Sequence, residues 1–360
     1  MKNKKIIVGG SGGTPSLNFI RSLRAAREKF HIIGLTCNKF DLCKAEKYCD
    51  KVFLVPAAKQ KPYLGVLKRI IKETNPDFMH AQNDEEVFEV SKHRSQLGVK
   101  TFLPRHNVIE ICQDKFLSAQ KWQEAGLKVP KTFLINDRKD LEEAFTKIKG
   151  KVWVRAISGA FGKWSLPTED FNFAVNWIDY YKGWGQFTVA EYLSPDSITW
   201  LSIWKDGSLI VAQSRKRLYW EFANRSVSGV TGITGTGLTV RDKNIDKLAQ
   251  KSIFAVDDKP NGIYGVDFTY DKDGIANPTE INIGRFFTTH QFFTEAGLNM
   301  PYIFVKTAFS EKLPKLKRKI NPLKPGLVWV RGMDVEPVLT DMKKIKNFEK
   351  KLKQTMGKIR

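Results

Sequence analysis

The chain has 360 residues, which at roughly 100–200 residues per domain gives two or three domains and excludes a disulfide-stapled miniprotein. Its 42% hydrophobic, 12% aromatic and 27% charged residues describe a chain that folds and exclude a disordered one. Sixty Lys and Arg against 38 Asp and Glu leave a formal charge of +22, and the last fifty residues alone hold 15 Lys/Arg and 5 Asp/Glu. That excess points to anionic ligands or partners, with the basic tail as the place for an acidic partner.

Residues 5–13, KIIVGGSGG, read as a buried strand running into a glycine turn, followed by an amphipathic helix over Ser16–Lys29. Strand patterns from His31, at 51–56 and at 77–82, with helical patterns at 63–74 and 84–97, give the β-α alternation of a parallel sheet covered by helices. The expected fold class is therefore α/β over residues 1–108. Asn107–Gly126 reads as one helix, and Pro130 marks the start of a different layout. Helices near 138–148, 169–182 and 242–256 mix there with strands at 151–157, 187–193, 199–205 and 208–214, the last two joined by Asp206-Gly207. The paired strands IYGVDFTYD and IANPTEINI flank the turn DKDG, completing an α+β unit over residues 109–310, divided at 188/189. Residues 311–360 form a basic extension with the run KLPKLKRK, an apolar segment at 326–334 and an amphipathic helix from about 341.

Cys37, Cys43 and Cys49 are spaced six apart and Cys112 stands alone, which fits neither a disulfide framework nor zinc-ligand spacing. The opening apolar run is too short for a signal-peptide core and no segment reaches membrane-spanning length, so a cytoplasmic protein is expected. A homo-oligomer is compatible with the sequence.

Two features carry chemistry. Gly9, Gly10, Gly12 and Gly13 after a strand let backbone amides approach an anion, as in dinucleotide sites, but Pro15 occupies the place of the third fingerprint glycine. Gly10 and Ser11 are then a structural turn or a substrate-side loop, with Asp41 as the acid a nicotinamide site would use. Asp267 and Glu280 lie on the two arms of a hairpin that can bring both to one face, with Asn282 two residues on. Such an oxygen set suits a hard divalent cation with nucleotide phosphates, Arg285 neutralising the phosphates; the bland alternative is a hairpin with solvated acids.

In order, these segments resemble the ATP-grasp superfamily, in particular its carbamoyl-phosphate-synthetase-like carboxylate–amine ligases, over roughly residues 5–310. VGGSGGTPSLNFIRSLR is similar to the start of the Rossmann-like pre-ATP-grasp domain, QNDEE to its acidic segment, and QDKFLSAQKWQEAGLKVPKTFLI to the helix and strand that follow. The resemblance implies ATP and Mg²⁺, with Mn²⁺ able to replace it, and small-molecule carboxylate and amine substrates. It implies Lys115 and Arg155 on phosphates, a lid of Gly159, Gly162 and Lys163, and an adenine edge at Glu191, Tyr192 and Leu193. It further implies Asp267, Glu280 and Asn282 as metal ligands and Arg285, with Lys163, at the transferred phosphoryl. Ile283-Gly284 replaces the proline that usually follows the asparagine, and Asp196 and Ser197 are the nearest groups to the expected ribose acid. Arg217, Ser226, Ser228, Thr231, Thr288, Thr289 and His290 are the expected substrate-side groups, and Arg331 and Asp334 are candidates from the tail. A nicotinamide-dependent oxidoreductase would leave the paired acids idle, and a nucleic-acid-binding protein would account for the charge alone.

Overall fold

A computed structural model describes residues 3–159, 162, 164–332 and 342–358. Strands β1 (Lys4–Val8), β2 (Phe30–Thr36), β3 (Lys51–Leu54) and β4 (Phe78–His80) form a parallel sheet in the order β3-β2-β1-β4. Helices α1 (Thr14–Arg24), α2 (Lys39–Ala45), α3 (Tyr63–Thr74) and α4 (Asp84–His93) connect or follow these strands, as the β-α alternation requires. The chain steps from β1 outward to β2 and β3 and returns to β4 on the other side of β1. The crevice outside the carboxyl ends of β1 and β4 is thus a topological switch point, where open parallel sheets bind ligands.

The single helix expected over Asn107–Gly126 is two: α5 (His106–Gln113) and α6 (Lys115–Glu124). Asp114 breaks it, with extended backbone and a carboxylate that accepts from the amides of Phe116 and Leu117. An aspartate that satisfies the orphan amides of a new first turn favours a restart over continuation. Strand β5 (Thr132–Ile135), helix α7 (Arg138–Lys147), strands β6 (Val152–Ala156) and β7 (Leu166–Thr168), helix α8 (Phe171–Tyr180) and strand β8 (Phe187–Glu191) form a small lobe. Its antiparallel sheet runs β5-β8-β6-β7, and its core, from Ile135 to Val189, draws, among the described residues, on none outside the lobe.

The largest sheet has the order β13-β12-β9-β10-β11-β14 and is antiparallel throughout, from β9 (Ser197–Lys205), β10 (Ser208–Trp220), β11 (Thr234–Val240), β12 (Gly262–Tyr270), β13 (Ala276–Ile283) and β14 (Val328–Val330). Helix α9 (Lys243–Phe254) packs on one face, while α10 (Gln291–Glu295) and α11 (Met300–Ala308) cross back to α1. Asp206 and Gly207, at φ 49° and 81°, make the β9–β10 turn with both central residues left-handed, which matches strand twist. The cores cross the boundary expected at residue 108: Ile7, Trp200 and Tyr264 share one cluster, and Ile6, Leu201 and Phe304 another.

The basic extension is built into this frame. Asn321 is buried, bonding Asp246 and Ala212, and Leu313 and Leu316 pack inward while Lys312, Lys315, Lys317, Arg318 and Lys319 face solvent. Helix α12 (Met342–Gly357) seats Phe348 against Leu42 and Cys43. Among the described residues, no helix is long and apolar enough to cross a membrane.

Candidate nucleotide and metal cleft

The long sheet places one row of side chains across four adjacent strands: Glu280 on β13, Asp267 on β12, Thr199 on β9 and Arg215 on β10 are successive register partners. Opposed residues of antiparallel strands share a face, so the four line one wall. Two bulges create the row. From the turn, Tyr270 pairs with Ala276 and Phe268 with Pro278, but Asp267 pairs with Glu280, so Thr279 is an extra residue that turns Glu280 to the same face as Asp267. On the β9–β10 hairpin, Leu209 pairs with Trp204 and Val211 with Ile203, leaving Ile210 extra and shifting Arg215 opposite Thr199.

Asp267 accepts from the Thr199 hydroxyl and, at 3.1 Å, from the Asn282 amide nitrogen. That donation leaves the Asn282 amide oxygen available as an acceptor. Among the described residues, no cluster of three His, Cys, Asp or Glu could hold a metal ion. A cation here would therefore take the Asp267 and Glu280 carboxylates and the Asn282 oxygen, and complete its shell with oxygens from a ligand, the mode Mg²⁺ favours.

The facing wall comes from the small lobe and α6. Among the described residues, Arg155 on β6 gives one long bond, 3.4 Å, to the carbonyl of the bulged Thr279, and its buried Nε has no partner. Burial lowers its pKa, against a smaller opposing pull from Glu280. A guanidinium with an unused donor, lining the same cleft as two carboxylates, suits an anion held between them. Lys115, at the start of α6, reaches Gly159 O at 2.9 Å and stands 3.9 Å from Glu280. Gly162 approaches Val230 so closely that a Cβ would lie 2.4 Å from its carbonyl oxygen, and its φ of 62° is left-handed. Gly162 is thereby set against the segment that carries Ser226 and Ser228, whose hydroxyls lie 3.0 Å apart.

Two cavities meet at this row. One, of about 280 Å³, runs under Pro130, Trp153, Glu191, Tyr192 and Leu193, and also touches Ser228. The Glu191 carboxylate accepts from Lys131 N at 3.0 Å. The other, of about 350 Å³, extends to Gly10, Pro15 and Ser16 after β1 and to Gln82, Asn83 and Asp84 after β4, the switch point of the parallel sheet. Trp153, Arg155, Arg217, Asp267 and Glu280 line both, so they are two ends of one cleft. Arg285 clamps Asp84 through Nε and, at 3.1 Å, Nη2. Burial alone would lower the Arg285 pKa; Asp84, with Glu280 and Asp267, overcomes it and raises the value.

The sequence matches no protein-family model and no curated protein. Solved structures do match. The biotin carboxylase domain dimer of Hydrogenobacter thermophilus 2-oxoglutarate carboxylase, a complex with MgADP, ADP and bicarbonate, superposes with a TM-score of 0.70 at 14% identity, over 91% of this chain and 74% of that one. N5-carboxyaminoimidazole synthetase from Staphylococcus aureus gives 0.66 at 12% identity, over 87% and 79%. L-amino acid ligase from Bacillus licheniformis gives 0.65 at 12% identity, over 86% and 74%. The chain has the ATP-grasp fold. Its N-terminal part is the α/β parallel-sheet unit and the rest the α+β ATP-grasp portion.

Within that fold, Lys115, Arg155, Gly159, Gly162, Glu191, Tyr192, Leu193, Asp267, Glu280, Asn282, Arg285, Gly10, Arg217 and Ser228 all line the cleft. Lys163 and Asp334 lie outside the described residues. Ser11 is fully buried and bonds Leu35 O through its hydroxyl, so it anchors the glycine turn and lines neither cavity. His290 is likewise fully buried: its Nδ1 lies 2.7 Å from Phe287 O, its ring packs 4.8 Å from Phe286, and burial holds its pKa down to about 4. It stands behind the wall, supporting the turn that carries Phe287 and Thr288 into the cleft. Asp41 packs against Gly12 and pairs with Lys44, and Asp196 pairs with Lys216, while Ser197 accepts from Arg217. Arg331 bonds Thr234 and Gly235 carbonyls. Thr199, Arg215, Trp153 and Trp220 carry no mark of the site in the sequence; Thr199 meets Asp267 in plain register, whereas Arg215 enters only through a bulge, which no local pattern announces.

Proposed function

We propose that the protein is an ATP-dependent carboxylate–amine ligase. The observation that carries this reading is the opposition of an Asp267–Glu280–Asn282 oxygen set to the Arg155 guanidinium, whose Nε has no partner among the described residues, and the Lys115 ammonium, across a cleft that runs to the switch point of the parallel sheet. The structural neighbours support it, since one is a complex with MgADP and another is an L-amino acid ligase.

In this reading the base lies in the smaller cavity, by Glu191 and the Tyr192–Leu193 backbone, and the triphosphate passes Arg155 and Lys115 toward Asp267 and Glu280. A Mg²⁺ ion, when bound, supplies charge neutralisation between phosphate oxygens and the two carboxylates. The carboxylate of one substrate attacks the γ-phosphorus, giving an acyl phosphate and ADP; the amine of the second then displaces inorganic phosphate and releases a proton as the amide bond forms. Such phosphoryl transfer needs in-line positioning and charge compensation, with no nucleophilic side chain. Arg285, held rigid by Asp84, is placed to meet the transferred phosphoryl from the substrate side.

The test is ADP release from MgATP across a matrix of carboxylates and amines. Wild-type protein should release ADP over many turnovers only when a matching pair is present, and folded Glu280→Ala should release none. Normal turnover by folded Glu280→Ala would overturn the assignment.

A further inference from the structure

The row that carries Glu280 and Asp267 ends on β10 in a guanidinium to which the proposed reaction gives no work. Arg215 is 1% exposed, and it lines the larger cavity while absent from the wall of the one assigned to the base. Its surroundings are shaped for it. The aliphatic stem lies on Gly237, where a Cβ would come within 2.9 Å of Arg215 Cδ, and the guanidinium faces the Phe287 ring, 4.7 Å from its centroid. Nη1 donates to the Thr234 hydroxyl at 2.6 Å and Nη2 to the Thr199 hydroxyl at 2.7 Å, while Nε has no partner. Among the described residues no carboxylate hydrogen-bonds to it. Asp267 is reached only through the shared Thr199 hydroxyl.

Two hydroxyls satisfy donors without neutralising charge, and buried charge is ordinarily paired with its opposite. The next cross-strand row makes the imbalance larger. Arg217, its guanidinium 3.5 Å from the Trp220 ring centroid, also donates, among the described residues, only to hydroxyls, those of Ser197 and, at 3.0 Å, Thr234. Burial, and then Arg217, bring the Arg215 pKa down to about 9, against a smaller pull from Asp267. The site has the positive charge, the stacking wall and the planar donor fork of a carboxylate receptor, and lacks the carboxylate.

We propose that Arg215 receives a substrate carboxylate that does not react: the second acid group of a dicarboxylic acid, or the α-carboxylate of an amino acid that supplies the amine. This assignment rests on the nucleotide reading of the cleft. It makes Arg215 a specificity-determining residue, so that acids and amines lacking a second anionic group are poor substrates.

The experiment uses the full chain saturated with Mg²⁺ and a non-hydrolysable ATP analogue, whose binding is measured first by calorimetry. Succinate, glutarate and the L-amino acids are then titrated, each against its methyl ester at the carboxylate in question. The expected result is an acid that binds while its ester is weaker by about tenfold or more, as loss of a charged hydrogen bond implies. Arg215→Met should weaken the acid to the level of the ester and leave the analogue's affinity unchanged. It should also unfold no earlier than wild type, because it removes an uncompensated buried charge. Arg215→Lys, which retains charge without the fork, should fall between. Equal acid binding by Arg215→Met and wild type, equal binding of acid and ester, or no acid bound by a nucleotide-loaded wild type would each overturn the proposal. Parallel loss of the analogue in Arg215→Met would make Arg215 a phosphate ligand instead. No analogue binding by wild type, seen before any acid is added, would be the failure of the nucleotide reading itself.

Discussion

Glu86 lies under the glycine turn, and its ionisation sets a pH dependence that can be worked out in advance. Its carboxyl is 3% exposed, accepting from the Tyr63 hydroxyl at 2.8 Å and the Gln82 amide at 3.2 Å. Burial raises its pKa from the ordinary 4.5 to about 7, the two donors pulling part of the way back. The folded chain therefore holds a proton between pH 4.5 and 7 that the unfolded chain has lost. Its contribution to stability is complete below pH 4.5, falls as pH rises, and is gone above about 7. The displacement corresponds to about 3 kcal/mol. His80 and His290 act in the opposite sense: burial holds them to about 3 and about 4, so their contribution is present above pH 6.5 and lost as pH falls. Glu86→Gln leaves those histidines in place, so the difference between variant and wild type isolates Glu86. In urea unfolding at a series of pH values, Glu86→Gln should gain on wild type by about 3 kcal/mol between pH 4.5 and 8. A difference that stays flat across that range would refute the reasoning.

Gly9→Ala would place a Cβ 1.6 Å from Glu86 Oε2; equilibrium unfolding should show a loss of about 1–3 kcal/mol, the range for overpacking a closed site. Trp122 is 1% exposed and donates to Ser252 O at 3.0 Å, tying α6 and hence Lys115 to α9. Trp122→Ala should cost about 3–5 kcal/mol by the same measurement, as large aromatic truncations in cores do. An unchanged midpoint in either variant would show that the packing described there does not constrain the chain.

The sequence and the structure agree most closely where a pattern is local. The parallel sheet follows from alternating β and α signals, and helix α3 occupies the residues its periodicity marks, Tyr63–Thr74. Polar residues with strong backbone preferences are ambiguous: Asp114 can end a helix or ride on one, and only the restart at Lys115 decides. The glycine- and threonine-rich run at 229–237 shows no strand pattern, yet Thr234–Val240 is strand β11, because pairing with β10 and the packing of Arg215 over Gly237 outweigh low strand propensity. The site illustrates the same limit. Asp267, Glu280 and Asn282 stand out as acids and an amide near one turn, but turn-determined pairing would put Glu280 on the opposite face from Asp267. Only the extra residue Thr279 restores the shared face. Likewise Arg217 was visible as a charge near a glycine-rich segment, while Arg215 enters the metal row through the bulge at Ile210. Register is a property of two strands together, and a bulge in one changes it without any mark in the other.

The most direct test of the nucleotide and metal cleft is a calorimetric titration of the full chain with ATP, with and without Mg²⁺, for wild type, Lys115→Met and Glu280→Gln. The account predicts saturable binding at one site by wild type that strengthens with Mg²⁺. It predicts a loss of about tenfold or more in Lys115→Met, the scale of one charge-assisted contact. Glu280→Gln should lose the Mg²⁺ enhancement while remaining folded. No heat of ATP binding by wild type, or the same Mg²⁺-dependent affinity in all three proteins, would contradict it.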